Sequence, residues 1–295
     1  MNMLIAKWIP VGFLHGGENI LKDTRFKKII VLSSFNFLFM LLRQLGNKSK
    51  IAKEIQKYFP PHKMYIEPFF GAGGMFFNKP KAKYNIVNDI NSEVFNLFQV
   101  ILNNKNELID LFLKMPVHQD LWNYWKVNKE TDPVKRALRF LFLSNYGFFG
   151  MPGTMRFTNQ NTSEIILKKI DETARFMFGV DFMNCDFREM FKKINFRSEK
   201  EKKYTFIYAD PPYLYTGNNY ENSFTEKDSI DLFDTLQNTG IKWAMSEFNN
   251  PFILKQAEER NLNVIIIGER KNIRNKRVEV LITNYKTSQG FLMNF

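Results

Sequence analysis

Cysteine and histidine are scarce in this 295-residue chain. Its one cysteine is Cys185, and its three histidines are His15, His62 and His118. A single thiol can form neither an intrachain disulfide nor a cysteine-based zinc site. The histidines are scattered along the sequence, so we expect no metal centre. Because no disulfide framework is available, we expect a reducing cytoplasm as the location.

An apolar run long enough to cross a membrane comfortably is also lacking. Residues 29–42 are mostly apolar and follow basic residues, but a membrane-spanning helix needs about 20 apolar residues. The small-residue cleavage site of a signal peptide does not follow. We therefore interpret this run as a buried strand or helix and expect no membrane association. A second hypothesis treats residues 1–39 as an amino-terminal extension of uncertain role, with Met40 as the true start.

Acidic residues are fewer than basic ones. The chain has 42 lysines and arginines against 30 aspartates and glutamates, which gives a formal net charge of +12. Clustered basic side chains neutralise phosphates and release counterions, so this excess favours a polyanionic partner such as a nucleic acid. A basic surface without such a partner is the alternative, and net charge alone does not decide between them.

Strand-like and helical segments alternate along most of the chain after residue 48. This alternation predicts an α/β fold with a mostly parallel sheet and helices on both faces. Too few residues separate the last two strands for a helix, so we expect them to form an antiparallel pair at one end of the sheet. The strand-like segments are 63–70, 84–90, 203–210, 241–248, 263–270 and 278–285, and the helical ones include 49–59, 92–104, 227–240 and 251–261.

Residues 118–165 break this alternation. They are rich in aromatic residues and loop signals, with one predicted helix at 132–145 and an irregular stretch at 146–158. We interpret the segment as an insertion that forms a small second domain.

A stiff loop follows the apolar strand that ends near residue 209. Its sequence is "DPPY", residues 210–213. The two prolines have fixed backbone angles and restrict the residues before them. Asp210 and Tyr213 are therefore expected on a rigid frame at the carboxyl end of a strand, where open α/β sheets bind ligands. An acceptor beside a flat ring predicts a pocket for a flat, polar substrate.

A glycine turn lies between the first strand and the next helix. It contains Gly71, Gly73 and Gly74, and Asp89 ends the following strand, at roughly the spacing of a carboxylate that accepts hydrogen bonds from ribose hydroxyls. A plain strand-to-helix turn is the alternative. The third glycine of a dinucleotide fingerprint falls at Phe76, and a P-loop lysine is missing. The pattern therefore favours S-adenosylmethionine over NAD or ATP.

Six motifs occur in an order that resembles the Dam-type, alpha-class DNA adenine-N6 methyltransferases. They are "RQLGNKSKIAKEI", "YIEPFFGAGGMFF", "VNDIN", "NCDF", "YADPPYLYT" and "RVEVLITNY", and the resemblance covers about residues 41–286. It implies a Rossmann-like methyltransferase sheet with an inserted, mainly helical target-recognition subdomain. The implied domains are catalytic at 40–117 and 166–295, with target recognition at 118–165.

The resemblance also implies roles for individual residues. Asn47 departs from the family, which often has a second glycine there. Taken alone, the residues favour an exposed loop lysine for Lys48 and a helix N-cap for Asp186. The implied catalytic loop is Asp210, Pro211, Pro212 and Tyr213, and the implied cofactor-binding residues are Gly46, Lys48, Glu67, Phe70, Gly71, Gly73, Asp89, Asp186 and Phe187.

The insertion supplies the candidate contacts to DNA. They are Arg139, Tyr146 and Arg156. For the aromatic residues of this segment, packing in a core is the alternative. Arg156 follows a loop with glycine and proline, so it is the stronger candidate. The recognition loop resembles the family only loosely, and the target sequence is not predicted.

The predicted function is site-specific transfer of a methyl group from S-adenosylmethionine to N6 of a flipped-out adenine in double-stranded DNA. Asp210 and the Pro211 carbonyl would accept the two N6 hydrogens, and Tyr213 would stack on the base. The alternatives are an amino methyltransferase acting on cytosine N4 or on RNA, and an inactive DNA-binding protein of the same fold. A monomer is expected, and a separately encoded restriction endonuclease is a candidate partner.

Overall fold

A computed structural model of the chain describes residues 41–43, 46–150, 153–157, 161–215, 224–271 and 276–287. These residues all belong to one compact unit, Phe37–Phe295. The predicted extension at 1–39 and the proposed start at Met40 lie outside the described residues.

The described strands form one seven-stranded sheet in the order β3-β2-β1-β4-β5-β7-β6. β7 is antiparallel to both of its neighbours, and the other neighbouring pairs are parallel. This confirms the predicted mostly parallel sheet with an antiparallel pair at one end. The strands are β1 Met64–Glu67, β2 Tyr84–Asn88, β3 Asp181–Met183, β4 Thr205–Ala209, β5 Lys242–Phe248, β6 Asn263–Lys271 and β7 Lys276–Thr283.

Eight of the ten described α-helices begin at a residue whose side chain accepts a backbone N–H of the first turn, and those at Ala52 and Lys105 lack such a cap. At the start of the helix Pro133–Tyr146, the Asp132 carboxylate accepts the backbone N–H groups of Val134 and Lys135. Pro133 lies in the first turn, where a backbone N–H has no partner within the helix, so the N–H that proline lacks costs no hydrogen bond. The α-helices are α1 Ala52–Gln56, α2 Ser92–Asn103, α3 Lys105–Lys114, α4 Gln119–Val127, α5 Pro133–Tyr146, α6 Thr162–Met177, α7 Phe187–Lys193, α8 Glu199–Lys203, α9 Glu226–Asn238 and α10 Pro251–Glu259.

The sheet has a hydrophobic core on each face, because side chains alternate along every strand. On β4, Phe206 and Tyr208 lie in one core, whereas Ile207 and Ala209 lie in the other. Residues of α1 to α6 contribute to the first core, and residues of α7, α9 and α10 contribute to the second. The fold therefore has three layers, with helices on both faces as the sequence predicted.

Helix α5 of the middle segment packs against α2. Its residues Leu141 and Phe142 are fully buried in the same core as Val94 and Phe98 of α2. The middle segment is thus attached to one face of the sheet through this helix. The bounds of the inserted domain, 118–165, stay a prediction.

In the described ranges the longest α-helix, α6, has 16 residues. Within these ranges, no helix is both long and apolar enough to cross a bilayer.

Candidate active site

The two central parallel strands bring the predicted motifs together. The chain leaves β1 towards β2 on one side of the sheet and leaves β4 towards β5 on the other. Ligands of open α/β sheets bind at the carboxyl ends of strands at such a switch point. Glu67 is the last residue of β1, and Asp210 directly follows the last residue of β4. The glycine turn and the DPPY loop therefore begin side by side.

Asp89 ties the glycine turn to the end of β2. Its Oδ2 accepts the Gly71 N–H at 2.6 Å, and its Oδ1 accepts the Asn91 N–H at 2.8 Å. The Phe70 N–H donates to the Asn88 carbonyl at 2.9 Å, which fixes the turn from the same strand end. Burial raises the pKa of Asp89, although both hydrogen bonds to its carboxylate act in the opposite direction. Each carboxylate oxygen has a further lone pair that a hydroxyl group can use.

Glycine is required in the turn because other parts of the chain pack against it. Gly73 has φ +71°, and a Cβ there would lie 2.4 Å from the Phe77 ring. A Cβ on Gly74 would lie 2.1 Å from Asn47 Oδ1 and 2.9 Å from the Lys48 backbone nitrogen. The loop that carries Lys48 thus rests directly on the glycine turn. The sequence motifs gave Gly74 no separate role.

Lys48 is buried at the centre of the site, with only 3% of its side chain exposed. Its Nζ lies 2.7 Å from Asp210 Oδ1 and 3.4 Å from Glu279 Oε1. It also donates to the Gly46 carbonyl at 3.3 Å and lies 4.4 Å from the centroid of the Tyr213 ring. The alternative of an exposed loop lysine is therefore wrong, and the ammonium binds Asp210 of the DPPY loop.

Tyr213 is held from two neighbouring strands. Its hydroxyl donates to Glu279 Oε1 on β7 at 2.7 Å, and its ring packs edge to face on Phe248 of β5, with centroids 4.6 Å apart. Burial raises the pKa of the Tyr213 hydroxyl well above its usual value, so the hydroxyl remains a donor. Pro211 is buried and Pro212 half-buried between these anchors and β4. Glu279 was not predicted as a site residue.

Two further buried carboxyl groups lie close enough to Asp210 for its negative charge to raise their pKa values. Burial raises the pKa of Glu67 to about 8, and the hydrogen bond from the Tyr65 hydroxyl at 2.7 Å offsets this only in part. Burial likewise raises the pKa of Glu247 to about 8, against the hydrogen bond that it accepts from the Phe248 N–H. The charge of Asp210 adds to both increases. Both groups are therefore mostly protonated at neutral pH.

Known proteins resemble this chain over much of its length. A DNA adenine methylase of Haemophilus influenzae is 31% identical over 190 residues, which are 58% of this chain and 63% of that protein. Modification methylase StsI of Streptococcus sanguinis is 26% identical over 299 residues, 90% of this chain and 45% of the relative. These matches span less than two thirds of either relative's own length.

One solved structure, a conserved hypothetical protein of Streptococcus pyogenes, aligns with 80% of this chain and 94% of its own. Its sequence identity is 9% and its TM-score 0.35, values too low to support a functional inference. The sequence profile of the D12 class N6 adenine-specific DNA methyltransferases matches residues 45–273. The chain belongs to this family. Membership confirms the family that the motifs predicted, in which S-adenosylmethionine is the methyl donor.

Asp186 caps helix α7. The family resemblance predicts that it also contacts the adenine of the cofactor. Asp186 Oδ1 accepts the Arg188 N–H at 2.8 Å, and its Oδ2 pairs with Arg188 Nη1 at 2.9 Å. Arg188 also binds Asp228 and Asp231, so it links α7 to α9. The guanidinium lies 4.3 Å from the centroid of the buried Phe187 ring. The structure confirms the helix cap, and contact of Asp186 and Phe187 with the cofactor stays a prediction.

Two of the three predicted DNA contacts of this family member have partners within the protein. Arg139 Nε donates to the carbonyls of Trp125 and Asn128, both at 2.8 Å, and so holds the end of α4. Tyr146 is buried, and its hydroxyl hydrogen-bonds Ser163 Oγ at 2.7 Å. The structure gives both side chains a packing role, and their contact with DNA stays a prediction.

Arg156 differs from these two. Its backbone N–H donates to the Tyr146 carbonyl at 2.7 Å, next to an antiparallel bridge between Gly147 and Met155. Within the described part of the chain, its Nε and Nη2 have no hydrogen-bond partner. Both atoms are buried, so contact of Arg156 with DNA stays a prediction.

Gly74→Ala tests the contact between the glycine turn and the loop of Lys48. The added methyl group would overlap Asn47 Oδ1, so the loop must shift, and we expect the free energy of unfolding to fall by about 1–3 kcal/mol. Urea denaturation measures it. Gly153→Ala is the matched control, because a Cβ there has no described heavy atom within 4 Å. Equal stability of the two variants would contradict this packing.

Glu67→Gln tests the protonation of the buried carboxyl group. Its pKa rises from 4.5 to about 8 on folding, so between these values the folded chain binds one proton more than the unfolded chain. The stabilisation from this proton is complete below pH 4.5 and is lost as the pH rises towards 8, by up to about 1.4 kcal/mol per pH unit. Glutamine binds no proton, so urea denaturation should give a pH slope of the unfolding free energy that is less negative in the variant. An unchanged slope would contradict the raised pKa.

Proposed function

We propose that this chain transfers a methyl group from S-adenosylmethionine to N6 of an adenine in double-stranded DNA. One observation carries the proposal: Asp210 lies beside the glycine turn at the switch point of the sheet, in a chain that belongs to the N6-adenine family. The Asp210 side chain is 19% exposed. A base amine can therefore approach its carboxylate from solvent.

The residues around the glycine turn fit a nucleoside-containing donor. Gly71 and Gly73 have positive φ, which lets the turn stay tight at the end of β1. Asp89 lies at the end of β2 with a free lone pair on each oxygen for the ribose hydroxyls. Lys48 and Gly46 are the candidates for the donor's carboxylate, and Glu67, Phe70, Asp186 and Phe187 complete the set. When bound, the donor supplies an electrophilic methyl group on a sulfonium.

The DPPY loop prepares the amine for transfer. The N6 lone pair is delocalised into the adenine ring, which makes N6 a weak nucleophile. When Asp210 and the Pro211 carbonyl accept the two N6 hydrogens, the nitrogen becomes more pyramidal and its lone pair is exposed. Pro211 and Pro212 fix the two acceptors, and positioning of this kind lowers a barrier by several kcal/mol. Asp210 is also the acceptor nearest to the proton that N6 releases, and Tyr213 supports the ring of the base.

The target adenine must leave the duplex to reach Asp210, which costs a few kcal/mol. We assign recognition of the duplex to the insertion at 118–165, with Arg156 as its foremost contact and Arg139 and Tyr146 as further candidates. The net charge of +12 favours binding along the phosphate backbone.

The setting of the reaction is part of the proposal. One relative is named a modification methylase, which supports a role beside a separately encoded restriction endonuclease. We propose that the chain acts as a monomer in the cytoplasm, where a chain with a single cysteine needs no disulfide.

Asp210→Asn tests the reaction. The purified chain is incubated with methyl-labelled S-adenosylmethionine and unmethylated genomic DNA, and the digested nucleosides are separated. We expect label in N6-methyladenine, with a loss of at least about 100-fold in rate in the variant, because asparagine cannot accept the amine hydrogen as a charged group does. Asp181→Asn is the matched control, since this exposed residue begins the edge strand β3, whereas Asp210 follows the central strand β4.

Other outcomes would each correct a part of the proposal. Label in N4-methylcytosine would keep the chemistry and change the base. Label in RNA but not in DNA would change the substrate. The absence of both label and cofactor binding would contradict the proposed reaction and favour an inactive DNA-binding protein.

A further inference from the structure

Glu279 is a charged residue in the middle of an apolar strand. It is 1% exposed and pairs with Phe248 in the register of β7 and β5. A buried carboxylate is stable only with polar partners. Glu279 Oε1 has two: the Tyr213 hydroxyl donates to it at 2.7 Å, and Lys48 Nζ lies 3.4 Å away. One oxygen atom therefore joins the DPPY loop to the amino-terminal loop.

Lys48 contacts both residues that the proposed function places against the target base. Its ammonium lies 2.7 Å from Asp210 Oδ1, the carboxylate oxygen that is buried. It also lies 4.4 Å from the centroid of the Tyr213 ring, which is assigned to support the base. Because an ammonium withdraws electron density from the carboxylate that it binds, Asp210 is a weaker acceptor while Lys48 remains on it. A shift of Lys48 away from Asp210 would therefore make this carboxylate a stronger acceptor for the base amine.

If Lys48 moves away from Asp210, it needs another anion, and the two candidates are Glu279 and the donor's carboxylate. A buried ammonium that leaves its carboxylate without another partner is strongly destabilised. Glu279 already lies 3.4 Å from the ammonium, and a movement of less than about 1 Å brings the two groups to hydrogen-bonding distance. Glu279 thus allows Lys48 to release Asp210 without losing its charge partner.

We propose that Glu279 is a positioning residue of the methyl-transfer site: it fixes Tyr213 through the hydroxyl and receives Lys48 when the target amine binds Asp210. This inference rests on the proposed function. Glu279 acts through Lys48 and Tyr213, and it touches neither the methyl donor nor the base.

Glu279→Gln, Tyr213→Phe and their double variant test the proposal by steady-state kinetics of DNA methylation. Each single variant should lower kcat by about tenfold or more, because Glu279→Gln removes the charge of the acceptor and Tyr213→Phe removes the donor of the same hydrogen bond. In Tyr213→Phe the KM for S-adenosylmethionine should change by less than about twofold, since this variant alters no residue assigned to the donor. The double variant should be no slower than the slower single variant, because both changes remove the same hydrogen bond.

Two control variants separate this role from a general packing effect. Tyr208→Phe also removes a buried tyrosine hydroxyl, one that hydrogen-bonds Ser246 at 2.7 Å, but it leaves Tyr213 and Lys48 untouched. Glu258→Gln removes an exposed carboxylate of α10. Both should retain kcat within about twofold, because neither changes a group that contacts Lys48 or Tyr213.

Three results would overturn the proposal: wild-type kcat in both single variants, losses that multiply in the double variant, or a loss in Tyr208→Phe equal to that in Tyr213→Phe. If Glu279→Gln does not fold, Tyr213→Phe decides alone, because it removes the same hydrogen bond and keeps every charge. Wild-type kcat there would refute the role of Glu279. An active Asp210→Asn would instead refute the proposed function, so the two failures are distinguishable.

Discussion

The candidate site depends on a buried ammonium. Lys48 Nζ lies between Asp210 and Glu279, on a loop that rests on the glycine turn at Gly74. The sheet brings the strand ends together, and this cation then connects side chains from the amino-terminal loop, the DPPY loop and β7. Charged groups with so little exposure are stable only when they are paired. The positive charge of Lys48 stabilises the carboxylates of Asp210 and Glu279 close to each other. The nearby Glu67 adds little negative charge, because it is mostly protonated at neutral pH.

Most of the sheet could be predicted because its strands are continuous apolar runs between turn signals. The run "TFIYA" of β4 is buried on both faces, and such a run has few alternatives to a central strand. β3 was not predicted, since Asp181–Met183 has three residues and none of them is fully buried. In the middle segment the sequence predicted only α5. Helices α4 and α6 are amphipathic and lie among loop signals, so local pattern did not separate them from irregular chain.

The catalytic loop and the glycine turn were predictable from residue types whose backbone geometry is local. Asp210, between a strand and two prolines, and Asp89, at the end of the next strand, have their places fixed by the sheet. Glu279 was not predictable in this way, because its partner Tyr213 is 66 residues away and its role depends on β7 lying next to β5. A glutamate within the apolar run "VEVLIT" was the signal available. Lys48 was predicted to meet the cofactor, whereas in the structure it lies on Asp210.

The central claim, that one buried ammonium holds the site together, is tested most directly by the free energy of unfolding of Lys48→Met. Methionine keeps the length of the side chain and removes its charge, so Asp210 and Glu279 would be left close together without a cation. We expect a loss of about 3–5 kcal/mol at neutral pH. The exposed neighbour Lys50, changed to methionine, should alter stability by less than about 0.5 kcal/mol. If Lys48→Met were as stable as the wild-type chain, the central role of the buried ammonium would be contradicted.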